Sequence, residues 1–165
     1  MVSTRRRTGG IMVTSSGVTA FLSKAADQLL TQASELVGSE GADYRMAVIL
    51  AHAACDLETE DALNTLIGLR EIDDLRDALF DAMGAPQISL HNDRVRGLYT
   101  ALSEDNPTTA PWWSQWRDSI KRRNEVAHKG TEVTRAEAAA SVEVARSYCE
   151  HVLKVAGTVN MRGGR

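Results

Sequence analysis

Between Val18 and Ala156 the apolar residues recur every three or four positions, and strict alternation lasts nowhere for long. That period is the signature of packed helices rather than of sheet. Val18, Phe21, Leu22, Ala25, Leu29, Ala33 and Leu36 make a first stripe, closed by Gly38. A second helix is expected from about residue 43 to 69, with Val48, Cys55, Ala62, Leu63 and Leu66 at helical spacing. Its core, "MAVILAHAAC", has the apolar density of a buried strand, but its length and alanine content favour helix. A short acidic helix is expected over 72–83, ending at Gly84–Pro86, and another over 89–102. "SEDNPTTAP" (103–111) then reads as a loop.

The next helix carries Trp113, Trp116, Ile120 and Ala127 along one side, and Gly130 suits its C-terminal stop. The last opens with Thr134 and Glu137 at capping-box spacing and buries Ala138, Ala145, Tyr148, Cys149, Val152 and Ala156. The expected fold is therefore all-α, an up-and-down bundle of five or six helices in a single domain. At 165 residues such a chain buries roughly 70% of its unfolded surface, enough for one core without metal or disulfide support. The domain is placed at 17–158, between a disordered arm over 1–16 and a flexible tail over 159–165. Met12 is an alternative start.

The net charge of −3 creates no global field toward nucleic acid or membrane. Locally the balance is uneven: acids dominate from Asp56 to Asp81, and bases from Arg117 to Lys129. Cys55 and Cys149 lie far apart, each within an apolar helical pattern, and read as buried thiols in a reducing compartment. The basic start lacks the apolar stretch of a signal peptide, and no apolar run approaches a membrane span, so a cytoplasmic location is expected. His52, on an alanine-rich face, reads as a core or interface histidine, and His91 and His151 have no partner at metal-ligand spacing. None of the three has an evident route to a shared site. Asp56 and Glu58 can approach an arginine from the second helix, but read first as a solvated acidic face. Trp112, Trp113 and Trp116 read as core before they read as stacking platforms for bases.

One stretch, "RRNEVAHKG" (122–130), carries the residue types of phosphodiester chemistry. Arg123 offers a planar cation for phosphate oxygens, Asn124 an amide that donates or accepts, and His128 a group that titrates near neutrality. On a straight helix Asn124 and His128 share a face, whereas Arg123 and His128 stand about 140° apart. From residue chemistry alone a helix end comes first. A protonated His128 and Lys129 at a C-terminus stabilise by roughly 0.3–1 kcal/mol, and a single Arg/His spacing recurs by chance.

The stretch resembles the signature of the HEPN superfamily, in which an arginine, often followed by a polar residue, precedes a histidine by four to six residues. Arg123 to His128 fits the four-residue form, and Arg122 fits the five-residue form. The tryptophan-rich helix start, the following "TRAEAA" and the upstream "RVRGLYTALSED" extend the resemblance over roughly residues 18–157. Many such proteins are metal-independent endoribonucleases whose site is composed from both copies of a dimer; others are binding or dimerisation modules. The resemblance implies His128 as general acid/base, Arg123 as phosphate clamp and Asn124 as orienting group. Lys121, Arg122 and Lys129 would be further substrate contacts. It implies no metal and no cofactor, with RNA, a second copy and an antitoxin or other protein as partners. A toxin or phage-defence effector is the expected role, a non-catalytic module binding RNA, nucleotide or protein the alternative. Gly130 stands where toxins regulated by AMP addition usually carry tyrosine, which leaves that regulation without its acceptor.

Overall fold

The structure, a computed structural model, describes residues 12–15, 18–84 and 88–163. Among these there are six α-helices: α1 (Lys24–Gly38), α2 (Tyr44–Leu69), α3 (Arg76–Met83), α4 (Asp93–Ser103), α5 (Trp113–Lys129) and α6 (Arg135–Gly163). They form a single all-α bundle, as the periodicity requires. Its axis is α2, packed between α1 and α6, with α5 and α4 against its sides. Ala47, Ala51 and Ala54 are fully buried on α2, and their small side chains let the neighbouring helices approach closely. Leu30 and Ala33 of α1 and Ala145, Cys149 and Val152 of α6 complete this layer. Cys55 and Cys149 are free buried thiols with Sγ atoms 3.9 Å apart.

Local chemistry fixes most helix ends. Thr134 and Glu137 form a reciprocal capping box: Glu137 Oε2 accepts from the Thr134 N–H at 2.9 Å, and Thr134 Oγ1 accepts from the Glu137 N–H at 3.3 Å. Gly130 ends α5 in the left-handed region at φ 64°, its N–H returning to the Val126 carbonyl. Asp43 caps α2 by accepting from the Arg45 N–H.

Three helix starts differ from the sequence expectation; one is α3, expected from 72, which begins at Arg76 after a 3-10 turn over Asp73–Leu75. The first stripe does not begin helically at Val18. Val18–Phe21 is a strand paired antiparallel with Met12–Ser15, and this hairpin packs against α6. The helix waits for Ser23, whose Oγ accepts from the Ala26 N–H. Met12–Ser15 thus lies in a strand within the segment expected as an arm, while residues 1–11 and 16 lie outside the described residues. The third shift matters most. The helix expected from 89 starts at Asp93, because Asn92 Oδ1 accepts from the N–H groups of Arg94 and Val95. Ser89 and His91 therefore sit on irregular chain ahead of α4. At the other end, α6 runs to Gly163, past the expected boundary at 158.

Trp112 and Trp116 are core, as expected, whereas Trp113 packs half-buried against that core. Trp116 is fully buried, its ring centroid 4.6 Å from that of Tyr148, and Trp112 packs on the same tyrosine at 5.2 Å. An offset or tilted aromatic pair adds roughly 0.5–1.5 kcal/mol beyond its area burial.

Candidate functional site

Each residue along α5 turns the chain by about 100°, which distributes the motif over different faces. Trp116, Ser119 and Ile120 point inward and anchor the helix against α2 and α6. Arg123 and Asn124 follow on the edge of that buried face. They open into a cleft of roughly 180 Å³, bounded by α2 and by the chain ahead of α4. There Arg123 Nη1 donates to Asn124 Oδ1 at 3.2 Å, which aims the amide and the guanidinium together.

The opposite wall is built from His52 and Asp56, four residues apart on α2, and the rim from Ser89, His91 and Asn92. His52 lies on the Trp116 ring, and its Nε2 is 2.9 Å from Ser119 Oγ, within one hydrogen bond. Burial pushes its pKa down to about 3, and the charge of Arg123 pushes the same way. His52 is thus a neutral imidazole throughout the physiological range. Asp56 moves in the opposite direction. Burial raises its pKa to about 6, while the Arg123 charge and a hydrogen bond from Ser89 hold it back. The cleft therefore combines one fixed cation, a neutral imidazole, the exposed His91 and a half-buried acid that titrates just below neutrality.

Two readings from the sequence are overturned here. Asp56 and Glu58 are not a solvated face: Asp56 lines the cleft, and Glu58 is only 1% exposed, its Oε2 accepting from the Ser23 N–H at 3.1 Å. Nor do the remaining histidines all lack a route to the motif, since His52 and His91 share the cleft with Arg123. The spacing of His52 and Asp56 along α2 was the available signal. For His91 nothing local distinguished it, because its position depends on where α4 begins.

The other motif residues are not brought to this cleft. His128 is exposed in the last turn of α5, beside the exposed Lys129, and neither lines the cleft. Arg122 and Lys121 face a second groove of roughly 230 Å³ with Asp118, Glu125, Glu132 and Glu137. Lys121 Nζ is 3.1 Å from Asp118 Oδ1, and Arg122 reaches Ser141 Oγ at 2.9 Å and Glu137 at 4.0 Å. Two of the five bases of the strip are thus matched by carboxylates. The remaining histidine, His151, is bound to Asp105 Oδ2 at 2.8 Å, tying the loop after α4 to α6. Among the described residues no group of three or more His, Cys, Asp or Glu could hold a metal ion, and no helix is long and apolar enough to cross a membrane. Compared with family models, with curated proteins and with solved structures, the chain matches none.

Proposed function

We propose that this protein is a metal-independent endoribonuclease of the HEPN type, acting in the cytoplasm as a homodimer. The observation that carries the proposal is the pairing of Arg123 and Asn124 at the mouth of a cleft that also holds Asp56, His52 and His91. The guanidinium grips non-bridging phosphate oxygens with two parallel N–H groups. The 2′-hydroxyl attacks phosphorus, its proton passing to a base, and the bond to the 5′-oxygen breaks. His128 gives that oxygen its proton, leaving a 2′,3′-cyclic phosphate and a 5′-hydroxyl. His128 is exposed on the same helix rather than inside its own chain's cleft, so a second copy supplies what one chain lacks. A toxin or phage-defence effector, held in check by an antitoxin or similar protein, is the setting such an activity fits.

One observation favours a second reading, a non-catalytic helical module that binds RNA, a nucleotide or a protein. Lys121 and Arg122 are matched by Asp118 and Glu137, which leaves less positive charge for a polyanion than the sequence suggests. The deciding experiment is incubation of purified protein with bulk RNA in EDTA, beside His128→Ala and Arg123→Lys. Cleavage that both variants lose supports the nuclease. RNA left intact by the wild type, with EDTA and with added metals, leaves the binding module.

A further inference from the structure

The reaction just described gives no role to Asp56, yet the fold places this carboxyl half-buried in the same cleft as Arg123. The Arg123 charge acts on it from α5, and Ser89 donates a hydrogen bond from the chain ahead of α4. His91 stands on the same rim, His52 lies one turn away on α2, and the Tyr148 phenol of α6 feels the carboxylate's charge. Of these groups only Arg123 carries a fixed positive charge, and His52 is held neutral by burial. The carboxylate and the guanidinium therefore neutralise one another within the cleft. A phosphate group entering that space competes with Asp56 for the same cation. Two anions sharing one cation in a half-buried site repel, and the weaker acid is the one that accepts a proton.

We infer that Asp56 is the internal counter-ion of this anion site: a phosphodiester takes over Arg123, and Asp56 takes up one proton from solvent as the ligand enters. The inference rests on reading the cleft as a phosphate site, and it adds a proton-coupled control of occupancy. A carboxyl already raised to about 6 needs little added negative charge to become protonated at neutral pH. A phosphodiester, a monoanion across this pH range, cannot take the proton itself. Binding then weakens with rising pH, and a neutral side chain at position 56 removes both the competition and the proton.

Thymidylyl-thymidine is a suitable probe, because it has one phosphodiester and no 2′-hydroxyl to be cleaved. Its binding to the full chain is measured calorimetrically at pH 6, 7 and 8, in buffers of differing ionisation heat. The expected result is net uptake approaching one proton near pH 7 and affinity falling about tenfold or more from pH 6 to pH 8. Asp56→Asn should bind with no pH dependence from this source and more tightly than wild type at pH 8. His91→Gln should keep the wild-type uptake, which separates the carboxyl from the imidazole on the rim. A carbon-13 titration of the Asp56 carboxyl in the wild type, with and without probe, covers the case in which Asp56→Asn fails to fold; its midpoint should rise on binding. Uptake that survives Asp56→Asn, pH-independent binding by the wild type, or no binding overturns the inference. RNA cleavage by the same preparations judges the nuclease reading separately: an active enzyme without the proton coupling sinks only this inference, and coupling without cleavage sinks only the nuclease.

Discussion

The His52 imidazole lies on the Trp116 indole with centroids 4.4 Å apart and planes inclined by 22°, and its Nε2 is in hydrogen-bond contact with Ser119 of the same helix as Trp116. This stack joins α2 to α5 about two turns before Arg123, and the Ser119 contact joins them one turn before it. It therefore fixes the distance between the two walls of the cleft, and it does so with a histidine that stays uncharged.

His52 is predicted not to titrate between pH 5 and pH 8. Its folded pKa lies below the unfolded value, so the unfolded chain binds the extra proton. The stabilising effect of the neutral ring is complete above about 6.5 and is lost as pH falls toward about 3. Ring-proton NMR shifts against pH are the measurement, and a midpoint near 6.5 would contradict the buried stack. His52→Ala should cost about 2–4 kcal/mol in urea unfolding, since it leaves a cavity on Trp116 and removes the partner of Ser119.

Glu58→Gln should stabilise the protein at alkaline pH. Burial raises the Glu58 pKa to about 7, against one hydrogen bond from the Ser23 N–H that favours the ion. A carboxyl raised in the folded state favours folding below about 4.5, and that contribution is lost as pH rises through about 7. Gln keeps an acceptor for Ser23 and has no charge to bury. The gain at pH 8 should be on the order of 2–3 kcal/mol, fading to nothing near pH 4. Thermal melts of both proteins across this range decide it; an equal effect at both ends would show that the cause is not ionisation.

Gly130→Ala should destabilise by about 1 kcal/mol. Nothing lies within 4 Å of the added methyl, so the cost is conformational, from holding a non-glycine residue at φ 64°. Equilibrium unfolding measures it, and an unchanged midpoint would mean that the cap relaxes to another geometry.

His128→Ala should lower RNA cleavage by about 100-fold or more while the melting temperature hardly moves. The exposed side chain contributes at most its charge at a helix end, roughly 0.3–1 kcal/mol. Arg123→Lys should also be impaired, because a point charge does not replace a two-pronged donor. A large fall in melting temperature with proportionate loss of activity would assign His128 to the helix end instead.

Mixed dimers of wild type and His128→Ala should run at much less than half the wild-type rate, and specific activity should fall on dilution below the dimer dissociation constant. Sedimentation on the same samples gives the oligomeric state. A monomer with undiminished specific activity would exclude a site shared between copies.

What the sequence determined by itself is what neighbouring residues settle among themselves. The stripe on α2, the Thr134–Glu137 box and the Gly130 stop are local, and the folded chain uses each where the pattern places it. Motif placement on α5 was equally legible: a rotation of about 100° per residue already separates Arg123 from His128 and Arg122. Two of the helix starts were not legible in the local pattern. Val18–Phe21 carried a helical stripe, and pairing with Met12–Ser15 made it a strand. The helix expected from 89 starts later, where Asn92 accepts two hydrogen bonds. That later start left Ser89 and His91 free to reach the cleft. The cleft itself was decided only by tertiary structure, because its walls come from α2, from the chain ahead of α4 and from α5. The charge states of His52, Asp56 and Glu58 follow for the same reason: each is set by burial, which exists only once the helices have packed.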